Sequence, residues 1–273
     1  MMIFRILERM FNIDDIDCKW GVRFMFLFCV VARCAVFFNP YSDTDFTWLN
    51  TWISNFESAQ TTEQLPAAIP ITGGNIVFLV TAFLALFITL MMGILYSGLY
   101  VRYFRIKKME KEAEAENEGT SGTEEPQRLG ALIKRLLLLT LFYLAVSLPF
   151  MLISSNFLLF FCIGFPFLFT APACYLSGDK GMFNSLPYVV KLTRGFYTVH
   201  VRSLVVIVLM FFFTDALAGL TSFFSNTTFY ILSSAFSTWI TFTFGRYAGM
   251  AYCAMKERVD HPERYPEKEG KIG

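Results

Sequence analysis

Charge is what this sequence lacks most. Asp, Glu, Lys and Arg make up only 16% of its residues, against roughly a quarter in soluble globular domains. Histidine is nearly absent, with only His200 and His261. The six cysteines (Cys18, Cys29, Cys34, Cys162, Cys174, Cys253) contain no Cys-x-x-Cys pair and stand at no metal-ligand spacing from either histidine. That removes the usual zinc and dithiol chemistries and leaves the cysteines as packing residues. The sequence has no Gly-x-Ser-x-Gly, no His-Glu-x-x-His and no phosphate-binding glycine loop. No polar stretch is long enough to fold as a separate catalytic or nucleotide-binding domain. No catalytic residue, metal, cofactor or nucleic acid partner is therefore expected.

What the chain has instead is apolar length. Of its 273 residues, 55% are apolar and 18% aromatic. A helix crossing a hydrocarbon core about 30 Å thick needs about 20 such residues in a row. Six runs qualify: Trp20 to Phe38, Asn75 to Tyr100, Ala131 to Ile153, Phe157 to Leu176, Val201 to Phe224 and Phe229 to Met255. The first is long, holds Arg33 and lacks a small-residue cleavage site after it, so it reads as a retained helix rather than a signal peptide.

The net charge of +1 conceals a strong segregation. Basic residues cluster before the first run, between the second and third, between the fourth and fifth, and after the sixth. The other three connections, 39–74, 154–156 and 225–228, hold no Lys or Arg. Cytoplasmic loops carry the excess of Lys and Arg. The expectation is an all-α integral membrane bundle of six transmembrane helices at the cell membrane, with both termini in the cytoplasm. Its organisation divides into 1–106, an N-terminal amphipathic helix and two spans with an outer loop; 107–127, an acidic linker; 128–258, four spans; and 259–273, a cytoplasmic tail.

Amphipathic segments decorate this frame. Ile3, Phe4, Leu7, Met10 and Phe11 share one face of a short N-terminal helix, suited to the inner interface or to the bundle. In the outer loop, Trp48, Trp52 and Phe56 recur every four residues. They suit an interfacial anchor or a lid. Between Ser177 and Arg202, an amphipathic helix containing Met182, Phe183, Leu186, Val189, Val190 and Leu192 is entered or kinked near Pro187. Lys180, Lys191, Arg194, His200 and Arg202 crowd the same inner surface. The four Lys and Arg residues are candidates for anionic lipid headgroups, alongside their part in setting orientation. The bilayer is the expected partner, with a membrane or cytoplasmic protein as a further candidate.

Residues out of keeping with their surroundings mark the remaining candidates. Gly164, Pro166 and Pro172 should kink or break the fourth run, as helices lining transporter sites are broken. Arg33 and Asp215 lie within apolar runs, where a charge is costly and usually has a partner. Counted from Lys19 and Arg202, they sit at matching depths of about 21 and about 20 Å, which predicts an ion pair between the first and fifth runs. Arg246 in the sixth run is placed to snorkel inward. A short echo joins Tyr96-Ser97-Gly98-Leu99 to Tyr247-Ala248-Gly249-Met250. Small residues there allow helices to approach closely.

The stretch from Pro172 to Val208 resembles part of poorly characterised bacterial polytopic families. These include the membrane domain found beside some glycerophosphodiester phosphodiesterases. Pro172, Leu192, Thr193, Arg194 and Gly195 carry the likeness. It implies a multi-span helical fold without the phosphodiesterase chemistry, which belongs to a separate soluble domain. Two functional expectations follow, a permease-like or transport-associated membrane subunit and a non-catalytic scaffold or regulator. A lipid-acting membrane enzyme stands behind both.

Overall fold

A computed structural model describes residues 9, 11–14, 16, 18–58, 71–115, 128–152, 170–194, 196–223 and 225–261. These residues are helical wherever they are regular, with no strand among them. The principal helices are α1 (Lys19–Phe37), α2 (Thr47–Ser58), α3 (Gly73–Ala115), α4 (Leu129–Leu152), α5 (Met182–Leu192), α6 (Tyr197–Thr221) and α7 (Asn226–Asp260). A short helical segment, 170–177, precedes α5. Among the described residues, three helices are long and apolar enough to cross a membrane: α1, α3 over Gly73–Glu110, and α6. The N-terminal face formed by Ile3, Phe4, Leu7 and Met10, and most of the fourth run with Gly164 and Pro166, lie outside the described residues.

α7 is the hub, packing against α1, α3, α5 and α6. Its position explains its composition. A helix buried on most sides has protein neighbours rather than lipid, so Ser, Thr and Gly replace the long apolar side chains of α1 and α6. Ser234, Thr238, Thr243, Gly245 and Gly249 are all buried. Thr238 and Thr243 turn their hydroxyls back onto the carbonyls of Ser234 and Trp239.

Along the seam between α3 and α7 the backbones touch. A Cβ added at Gly245 would lie 2.1 Å from the Gly93 carbonyl oxygen, and one at Gly249 2.9 Å from the Ser97 oxygen. Small residues four apart on both helices permit this approach. The echo anticipated close packing here, but its register differs. Gly98 faces Leu132 and Leu176, whereas Gly249 meets Ser97.

α3 also runs farther than the sequence suggested. Residues 107–115 of the expected linker continue the helix. Lys, Glu and Ala are strong helix formers, so poverty in apolar residues there forbids a core but not a helix. At its other end, buried Asn75 gathers the segment that joins α1 to α2. Its Nδ2 donates to the Asp43 and Asp45 carbonyls, each at 3.0 Å. Its Oδ1 accepts from the Trp48 indole and from the Thr72 amide, each at 3.2 Å. Trp48 on α2 is thereby tied to the start of α3.

Candidate functional site

Among the described residues, the densest set of charged contacts lies where segment 170–177 ends, and it centres on Asp179. Gly178 takes the left-handed turn there (φ 91°), a conformation glycine adopts without steric cost. The turn exposes the last carbonyls of the segment, and two arginines from other helices satisfy them. Arg135 of α4 donates to the Tyr175 oxygen at 2.7 Å, and Arg105 of α3 donates to the Ser177 oxygen at 3.2 Å. Cations suit a helix C-terminus because its carbonyl dipoles point outward.

Arg105 also reaches the Asp179 carboxylate, at 2.5 Å. Lys256 of α7 pairs with its other oxygen at 3.1 Å. The hydroxyls of Tyr252 and Ser177 donate to it as well. One carboxylate thus joins α3, α7 and the segment before α5. Its side chain is only 12% exposed. Burial alone would raise the carboxyl pKa. The Tyr252 hydrogen bond, the Arg105 charge, the Ser177 hydrogen bond and the Lys256 charge together reverse this and hold it below the ordinary aspartate range. A carboxylate that holds two cations and two hydroxyl donors is a poor proton acceptor but a strong fastener.

Two further polar pairs are buried in the bundle. Arg246 is 1% exposed and does not snorkel. It donates to the Tyr96 hydroxyl at 3.2 Å and lies over the Tyr100 ring at 5.2 Å. Tyr96 in turn donates to the Ile13 carbonyl at 2.7 Å, fastening the chain that leads into α1. His200 is also buried rather than part of the basic inner surface, and its Nδ1 sits 2.7 Å from the Tyr247 hydroxyl. Among the described residues, no group of three or more His, Cys, Asp or Glu side chains is placed to hold a metal.

The residues singled out from sequence fall as follows. Arg33 and Asp215 are not brought together. Arg33 is half-buried on α1, Asp215 is exposed on α6, and no salt bridge joins them. Matching depth fixes height along the bundle but not direction around it, and both helices lean on α7 instead. Pro172 is buried within segment 170–177, which stays helical through it. Pro187 likewise sits inside α5 without ending it. Lys180, Lys191, Arg194 and Arg202 are all exposed, with Lys180 4.9 Å over the Tyr188 ring.

α5 separates the apolar residues assigned to it onto two sides. Val189 and Leu192 are buried against the bundle, while Phe183, Leu186 and Val190 face outward, Phe183 at 78% exposure. Sequence reasoning missed Asp179 and its partners Arg105, Tyr252 and Lys256. A signal was present, since Asp179 is the only acid between Glu125 and Asp215. Compared with protein-family models, curated proteins and solved structures, the chain finds no match in any of the three.

Proposed function

We propose that this chain is a multi-pass membrane protein of six spans, with both termini in the cytoplasm, that serves as a non-catalytic scaffold and engages anionic lipid through its inner surface. The alternation of basic and base-free connections supports the topology. The observation that carries the scaffold reading is the locked frame of α3 and α7. Their backbones touch at Gly93 and Gly245, and Asp179 clamps their inner ends together through Arg105, Tyr252 and Lys256. A permease needs helices that part or a polar path that fills with water. This seam works against both at the centre of the bundle. Gly164 and Pro166, two of the three residues expected to break the fourth run, lie outside the described residues, and segment 170–177 stays helical through the third, Pro172.

Water access to α7 separates the two readings. Thr238 and Thr243 are buried on α7. With the native cysteines replaced by alanine, Thr238→Cys and Thr243→Cys are expected to resist a small hydrophilic thiol reagent applied from either side of the bilayer. Rapid labelling at either position would replace the scaffold reading with a water-filled pathway.

The lipid part of the proposal rests on α5. Its outward Phe183, Leu186 and Val190 and the neighbouring exposed Lys180, Lys191 and Arg194 have the make-up of a helix lying in an anionic interface. Each base near such a surface contributes about 1 kcal/mol. Changing Lys180, Lys191, Arg194 and Arg202 together to alanine is expected to weaken retention of phosphatidylglycerol by at least about tenfold. Phosphatidylcholine should be unaffected, as native mass spectrometry of the purified protein would show. Equal retention of both lipids by the two proteins would remove the lipid assignment.

A further inference from the structure

Two opposite charges lack an ionic partner among the described residues, and both lie in helices apolar enough to cross a membrane. Asp215 is exposed on α6, among the outward-facing Phe211, Phe212, Phe213 and Leu217. Arg33 is half-buried on α1. Neither takes part in a salt bridge among the described residues. The sequence between 153 and 169 carries no cation that could serve Asp215. A carboxylate facing lipid costs about 3 kcal/mol even on insertion-based scales, so its retention on an otherwise apolar surface calls for a partner.

The partner has to present a cation at the same depth. Arg33 does, at about 21 Å from the inner edge against about 20 Å for Asp215. It cannot serve within the same chain, because α1 and α6 each pack on α7 without joining these two side chains. We propose that Asp215 pairs with Arg33 of a second copy of this chain, forming a two-fold dimer within the membrane.

Rotation about an axis normal to the bilayer leaves every depth unchanged. A height match that is idle within one chain therefore becomes a contact between two. It is made twice, because a two-fold interface repeats each contact with the roles exchanged. The long arginine side chain can bring its head group from a half-buried backbone position to the rim of the bundle. The exposed rings of α6 supply the packing surface around the pair.

The inference rests on α1 and α6 being spans, and the experiment tests that first. The full-length chain should resist alkaline carbonate extraction from membranes. If it is released, the span assignment fails and the dimer with it. Resistant protein is then placed in phosphatidylcholine–phosphatidylglycerol nanodiscs and its subunits are counted by single-molecule photobleaching. Wild type is expected to be dimeric. Arg33→Asp and Asp215→Arg should each weaken the dimer about tenfold, the scale of a polar contact between membrane helices. The double charge swap should restore it, and Arg33→Lys should retain it. Circular dichroism confirms that each single variant keeps its helices. An integral but monomeric wild type would overturn the proposal. So would folded single variants that dimerise as wild type does, or a double swap that recovers nothing.

Discussion

Gly245→Ala, the addition of one methyl group, is expected to be among the most damaging single changes in this protein. The new Cβ would stand 2.1 Å from the Gly93 carbonyl oxygen and 2.9 Å from its carbon. Both are backbone atoms, so no side-chain rotation relieves the clash, and α3 and α7 must separate by an ångström or more. Overpacking of a tight interior costs about 1–3 kcal/mol and sometimes more. A rigid backbone neighbour places this site at the upper end. The seam also gives an internal ranking. Gly249→Ala meets the Ser97 oxygen at 2.9 Å and the Tyr100 ring at 3.0 Å, and Gly93→Ala meets Thr241 at 3.0 Å, so both should cost less than Gly245→Ala. Gly219→Ala on α6 has nothing within 4 Å. It should be neutral or stabilising by up to about 1 kcal/mol, because alanine loses less chain entropy in a helix. Thermal unfolding of the four variants in one detergent, followed by intrinsic fluorescence, checks the order. Equal melting of Gly245→Ala and Gly219→Ala would mean that α3 and α7 do not touch in this way.

The same seam shows which parts of the structure were legible in the sequence. Runs of long apolar side chains announced α1, α3 and α6, since a helix that faces lipid must be apolar around much of its circumference. α7 carries a weaker signal because it is buried by its neighbours rather than by lipid, and its Ser, Thr and Gly content lowers its hydropathy. The glycine echo located the close approach, yet a four-residue match cannot set register between two helices. Arg33 and Asp215 mark the same limit. Counting residues gives depth from a fixed rise, but the azimuth depends on which helices pack together. Arg246 was assigned to the interface because a long basic side chain near a helix end ordinarily reaches water. Its hydroxyl partner Tyr96 lies 150 residues away in the chain. Asp179 was hidden for the opposite reason, since a Ser-Gly-Asp-Lys-Gly stretch reads as a solvated turn. Only folding brings Arg105 and Lys256, from two distant helices, onto its carboxylate.

Removing that carboxylate is expected to produce the largest loss among changes at charged residues. Asp179→Ala removes the carboxylate that both Arg105 and Lys256 reach, and their side chains are only 13% and 14% exposed. It also removes the carboxylate that accepts from the Tyr252 hydroxyl, while Ser177 keeps the Cys174 carbonyl oxygen as an acceptor. Breaking a buried ion pair from one side costs roughly 3–5 kcal/mol, because the charges left behind stay desolvated. The partial exposure here points to about 3 kcal/mol. Asp179→Asn keeps an oxygen to accept hydrogen bonds and should lose less than the alanine variant. The acid side provides an independent check. The folded-state pKa of Asp179 is depressed, so its stabilisation is complete above the unfolded aspartate value of about 3.9 and disappears as pH falls through the lower folded value. Melting temperatures of wild type and Asp179→Asn should therefore differ by a constant amount from neutral pH down to about 5 and begin to converge below about 4. A gap that persists at the lowest pH at which both remain folded would show that Asp179 acts through shape rather than charge. The clamp between α3 and α7 would then rest on packing at the glycine seam alone.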